Sequence, residues 1–161
     1  MTSTHTISVL VENQSGSLSR IAGLFSARGY NISSLSVAET EDPSVSRMTI
    51  VVGGDDDIIE QIVKHLNRLI DVIKVMDFRT EPVIERELLI VRINCTAAVR
   101  SELDTLCKVY GAAIIAITQS SVTIQQADES SRVEEFIGLI RPYGIKEIVR
   151  SGKVALAKAK K

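Results

Sequence analysis

Near the start of the chain the hydrophobic residues change their spacing. Ile7, Val9 and Val11 alternate with Ser8, Leu10 and Glu12, the period of a β-strand, and Leu18, Ile21, Ala22 and Phe25 then fall at i, i+3, i+4 and i+7, the period of a helix face. Continued along the first half, the pattern predicts a strand over 6–12, a helix over 16–28, strands over 31–39 and 46–53, a helix over 55–69 and a strand over 71–79. That order is βαββαβ. Gly29 suits the left-handed position that ends the first helix. Asp55, Asp56 and Asp57 put negative charge at the positive end of the second helix, which carries Ile58, Ile59, Ile62, Val63, Leu66, Leu69 and Ile70 on one broad face.

Residues 79–84 break both periods, and Pro82 lacks the N–H that a sheet ladder needs, so the sequence divides there into residues 1–80 and 81–161. The second half repeats the order. It predicts a strand over 86–95, a helix over 98–110 with Val99, Leu103, Leu106, Cys107 and Tyr110 inward, and strands over 112–119 and 122–127. A helix over 129–141 follows, with Val133, Phe136, Ile137 and Ile140 inward and Pro142 as its stop, then a strand over 144–150. After Gly152 alanine and lysine alternate without a usable period, which predicts a frayed basic tail. At about 80 residues, each half has a size at which core burial is marginal. Met48, Ile50, Val51 and Val52 are apolar on both faces of one strand, whereas two helices cover only one face of a sheet. A second copy of the chain, alone or with a larger partner, is expected to cover what remains.

The turn between the first strand and the first helix carries the chemistry. Gly16 can take backbone conformations closed to other residues and lets a ligand come close to the chain. The N–H groups of Gly16, Ser17 and Leu18 are expected to point out of the helix N-terminus, where they attract a carboxylate. Asn13 ends the first strand and Asn31 begins the second. Each amide offers donor and acceptor groups, so the two can address an amino acid's ammonium and carboxylate without net charge, and βαββαβ order is expected to bring both to one rim. Ser15, Ser17 and Ser19 read as caps and hydrogen-bonding groups, because no base stands near them in sequence.

These residues also carry a family resemblance. Asn13, Ser15-Gly16, Leu18-Ser19-Arg20, Leu24-Phe25, Arg28-Gly29-Tyr30-Asn31-Ile32, Ser34-Leu35, Asp42-Pro43 and Ser46-Arg47-Met48-Thr49-Ile50 closely resemble the regulatory small subunit of bacterial acetolactate synthase (acetohydroxyacid synthase). The likeness continues through Glu85-Arg86-Glu87-Leu88 and residues 144–152. It implies an α+β protein of two ferredoxin-like βαββαβ domains, the N-terminal one an ACT domain. It further implies that paired ACT domains bind a branched-chain amino acid, most often valine, at the interface of a homodimer. They pass that signal to a large catalytic subunit, whose activity the small subunit also raises. By the same resemblance Gly16, Ser17 and Leu18 hold the ligand carboxylate, Asn13 and Asn31 fix its polar end, and Ile32 lines the apolar side. The resemblance also implies that thiamine diphosphate, Mg²⁺ and usually FAD belong to the catalytic subunit. No residue here is assigned to them, to a metal or to catalysis.

Composition narrows the alternatives. With a net charge of −1, no Trp and 4% aromatic residues, the chain has neither a basic footprint nor stacking platforms for nucleic acid. An RNA-recognition module of the same element order needs exposed aromatics where strand 46–53 offers Met48, Ile50 and Val52. Apolar runs such as 7–11 and 88–93 are too short to span a bilayer, and the N-terminus lacks a basic-then-apolar signal, which fits a cytoplasmic address. Cys95 and Cys107 form no CxxC and read as buried small hydrophobes. The triple Asp has no ligands at calcium-loop spacing and reads as a helix start. His5 falls at a frayed N-terminal edge and His65 on a helix surface, and no GxSxG, HExxH or GxxxxGK[ST] pattern occurs. A small stand-alone enzyme would have to rely on Glu12 or Glu39 as its acid. A stand-alone amino-acid sensor regulating another enzyme is the nearer rival.

Overall fold

A computed structural model describes residues 3–161. Its elements are β1 (Thr4–Glu12), α1 (Ser17–Ala27), β2 (Ile32–Glu39), β3 (Val45–Gly53), α2 (Asp56–Asn67) and β4 (Val72–Asp77), then β5 (Val83–Asn94), α3 (Arg100–Val109), β6 (Ala113–Ile117), β7 (Ser121–Asp128), α4 (Ser130–Ile140), a 3-10 turn over Arg141–Tyr143, and β8 (Ile145–Ala157). Two four-stranded sheets result, ordered β2-β3-β1-β4 and β6-β7-β5-β8. The expected α+β architecture, βαββαβ twice over, is what the chain adopts. The chain forms two compact units, one reaching to Ile84 and including Lys153–Lys161, the other spanning Glu85–Gly152.

In the first unit β1 lies antiparallel to β3, with Ile7 opposite Ile50 and Val9 opposite Met48. These side chains meet Ile21, Leu24 and Phe25 of α1 and Ile59, Ile62 and Leu66 of α2 in one core. The buried stripe of α1 is Ser17, Ile21, Leu24 and Phe25, a rotation from the predicted one that leaves Leu18 43% exposed. α2 opens as expected, with the Asp55 carboxylate accepting from the Ile58 N–H at 3.0 Å. It ends at Asn67, short of the predicted 69, so Ile70 falls in the following turn and is exposed instead of inward.

The face of this sheet away from the helices is covered too. Ser8, Thr49 and Val51 point there and are buried. Arg47 Nη1 donates to Ser8 Oγ at 2.9 Å, and the Lys153 N–H donates to Ser34 Oγ at 3.2 Å. Residues 153–157, expected as part of a frayed tail, are therefore the end of β8, with Ala155 buried and the Lys158 N–H donating to Pro82 O at 2.9 Å. Backbone pairing, which is indifferent to side-chain period, orders this stretch.

In the second unit β5 alternates cleanly: Leu89, Val91 and Ile93 are buried and Leu88 and Ile90 exposed. Leu103 and Cys107 of α3, and Val133, Phe136, Ile137 and Ile140 of α4, complete the core. A carboxylate is buried beside it. Glu87 accepts from Arg150 Nε at 2.6 Å, Arg150 Nη2 at 3.2 Å and Ser130 Oγ at 3.0 Å, so both of its oxygens are satisfied.

Candidate functional site

The backbone makes a left-handed step at Gly16, φ 90° and ψ −9°, and α1 begins at the next residue. A residue with a Cβ is strained in that region, and glycine is not. Because the cap is a glycine, no side chain satisfies the N–H groups of the first turn, and those of Leu18 and Ser19 have no carbonyl within the helix to reach. The Ser17 N–H is not among the free donors, since it turns back to Gln14 O at 3.2 Å. What Ser17 leaves unpaired is its buried hydroxyl.

Asn13 stands at the same rim. Its Nδ2 donates to Glu39 Oε1 at 3.1 Å and to Pro43 O at 2.9 Å, and its main-chain N–H to Ser44 O at 2.8 Å. The amide oxygen is the group it has left to offer. Asn31 and Ile32 stand elsewhere. β1 and β2 are both antiparallel to β3 and therefore parallel to each other, so the end of β1 lies beside the end of β2, not its start. The register places Ile32 opposite Val52 and Glu39 opposite Ser46, which puts Asn31 at the opposite rim, a strand length of roughly 23 Å away. The expected meeting of Asn13 and Asn31 within one chain does not occur. Ile32 packs half-buried against the core, and the exposed Asn31 side chain makes no hydrogen bond among the described residues.

Arg20 is the neighbour that sequence reading left inside a motif without a role. A Cβ on Gly16 would lie 3.2 Å from Arg20 Nη1 and 3.8 Å from Nη2, so the guanidinium rests across the bare side of the glycine. The signal was available in the spacing. Side chains on a helix tilt towards its N-terminus, and residue 20 reaches back over residue 16. Arg20 Nε bonds the largely buried Asp71 carboxylate, and Asp71 O accepts the Glu12 N–H at 2.8 Å.

Other candidate groups are structural. His5 lies within β1 rather than at a frayed edge, with Nε2 2.9 Å from Gly54 O. His65 faces Arg28, 3.4 Å from Nδ1, and its pKa is lowered by burial first and then by Arg28 and Arg68. Cys95 and Cys107 are free and buried, and burial beside Asp104 pushes the Cys107 thiol up to about 11. A cavity of about 550 Å³ is lined by Glu102, Leu106, Val109, Leu139 and Tyr143, but its carboxylate already accepts the Tyr143 hydroxyl. Among the described residues no three His, Cys, Asp or Glu side chains cluster as a metal site, and no helix is long and apolar enough to cross a membrane.

Residues 7–74 match the family model of an acetohydroxyacid synthase small subunit-like ACT domain, and residues 86–159 match that of the small subunit of acetolactate synthase. A probable acetolactate synthase small subunit of Archaeoglobus fulgidus is 47% identical over 157 residues, covering 98% of each chain. The acetolactate synthase isozyme 3 small subunit of Escherichia coli is 44% identical over 156 residues, 96% of each. The crystal structure of the acetolactate synthase small subunit from Thermotoga maritima superposes with a TM-score of 0.88 at 35% identity, covering 98% of this chain and 99% of that one. Matched in both halves and over nearly its whole length, the chain belongs to the acetolactate synthase small-subunit family, with an ACT domain as its N-terminal half.

Proposed function

We propose that this chain is a regulatory subunit that activates a large acetolactate synthase catalytic subunit and makes it sensitive to valine, bound where two copies of the chain meet. The observation that carries this reading is the edge position of β2. Leu35 and Val37 are 37% and 44% exposed on the helix side of that edge, and Leu18 is exposed on α1 nearby in the chain. If β2 pairs with β2 of a second copy about a two-fold axis, with helices on one side, the two strands run antiparallel. Asn31 and Ile32 of one copy then come to the Asn13 rim of the other. The separation within one chain becomes the reason that the site needs two. The ligand carboxylate meets the main-chain N–H groups of Gly16 and Leu18, with Ser17 contributing its unpaired hydroxyl in place of the N–H that Gln14 O already takes; Asn13 Oδ1 and Asn31 of the second copy take the ammonium; Ile32 of the second copy lines the aliphatic side chain.

On this reading thiamine diphosphate, Mg²⁺ and usually FAD belong to the catalytic subunit, and the assembly to the cytoplasm. The match of residues 86–159 to the small-subunit model favours this over a stand-alone sensor, which would need only the first half. The test is reconstitution. Acetolactate formation by the catalytic subunit should rise when this chain is added and fall again with valine. If this chain changes neither the rate nor its dependence on valine, leucine or isoleucine, the proposal fails.

A further inference from the structure

We infer that Arg20 supplies the charge that reads the ligand's carboxylate at the start of α1, an inference that rests on the amino-acid site proposed above. Three observations converge on this side chain. Its guanidinium lies against Gly16, with Nη1 3.2 Å from where a Cβ would stand, which places it beside the uncapped N–H groups of Leu18 and Ser19. Its Nε is fixed by the Asp71 carboxylate, whereas neither Nη atom hydrogen-bonds among the described residues. The Ser17 hydroxyl at the first position of the helix is buried and unpaired.

A cation beside the positive end of a helix is unfavourable unless an anion completes the arrangement. Asp71 offsets one charge, and it also sets the orientation by holding Nε and leaving the Nη side of the fork open. A carboxylate can accept from the fork and from main-chain N–H groups together, and charge-assisted bonds of this kind are the stronger ones. Gly16 therefore has two reasons to be glycine: its left-handed backbone, and the space the guanidinium fills. Asn13 and Asn31 remain to recognise the ammonium, so the two ends of the amino acid are read by different chemistry.

Calorimetric titration of the full chain with valine and with valinamide, its neutral-ended analogue, tests this for the parent, Arg20→Gln and Arg20→Lys. The parent should bind valine and discriminate strongly against valinamide. Arg20→Gln should weaken valine roughly thirtyfold and lose most of that discrimination, whereas Arg20→Lys, which keeps charge without the fork, should fall between. Unchanged valine affinity in Arg20→Gln overturns the inference. So does an equal loss for both ligands, which would mean that Arg20 acts only through the fold; the melting temperature without ligand gives the same check. Failure of the parent to bind valine, leucine or isoleucine would instead overturn the amino-acid site itself.

Discussion

The starts of α1 and α3 occupy equivalent places in two units with the same strand order, and they are built in opposite ways. α1 is entered through a glycine at φ 90°, has no acidic residue in its first turn and keeps an arginine fork beside its uncapped N–H groups. α3 is entered through Val99 in ordinary right-handed conformation, and Glu102 sits in its first turn. That carboxylate stabilises the helix dipole and would repel a second carboxylate arriving there. The fold is common to both units, so the fold alone does not account for the proposed site; the connection after the first strand is where the two units differ.

The strongest way to break the contrast is to make the α1 start resemble its counterpart. Gly16→Asp strains the left-handed step by about 1–2 kcal/mol. It also sets a carboxylate against the ligand's own, and two like charges about 4 Å apart at an effective dielectric of 20 repel by roughly 4 kcal/mol. Arg20 can pair with the new carboxylate, which removes the ligand's partner as well. Inhibition of the reconstituted enzyme by valine should disappear over any practical concentration range.

Breaking the second unit should act on stability and spare the site. Arg150→Met removes the guanidinium from the Glu87 carboxylate, only 4% exposed, and leaves that charge uncompensated beside the Ser130 hydroxyl, at a cost of about 3 kcal/mol. Hydrogen exchange at the Leu89 and Val91 amides should accelerate accordingly, while exchange in β1 changes little. Ligand sharpens the comparison from the other side. Valine at a hundredfold excess over its dissociation constant should stabilise the protein by about 2.7 kcal/mol, read as a rise in melting temperature.

The smallest effect belongs to Cys107. Its folded thiol ionises near pH 11 instead of 9.0, because burial disfavours the thiolate. The raised pKa contributes stability that is complete below pH 9 and lost as pH climbs towards 11. At pH 8 the folded chain should resist alkylation at Cys107, and mass spectrometry after iodoacetamide should find modification there only on unfolding.

Periodicity made much of this legible. The inward set of α4, Val133, Phe136, Ile137 and Ile140, stands as the spacing predicts, because strong contrast between faces fixes a helix's rotation. Leu18 misled for a local reason: it sits one position into α1, where a one-residue difference in the entry angle turns a side chain from core to surface. The end of β8 was illegible because alanine offers no contrast and its order comes from backbone bonds to residues far away in sequence. Asn13 and Asn31 could be recognised as chemistry but not placed, since which rim a residue reaches depends on strand direction across the sheet. Arg20 was legible in the spacing as a side chain that reaches back over residue 16, and the left-handed turn at Gly16 adds the bare surface against which its guanidinium rests.

The most direct test compares the two helix starts inside one molecule. In a nitrogen–proton correlation spectrum of the full chain titrated with valine, the amides of Gly16, Leu18 and Ser19 should shift in a saturable manner, together with Asn31 and Ile32. Those of Val99, Arg100 and Glu102 should stay where they are. Shifts confined to the α3 start, or none at either helix, would contradict the assignment of the amino-acid site to the turn between β1 and α1.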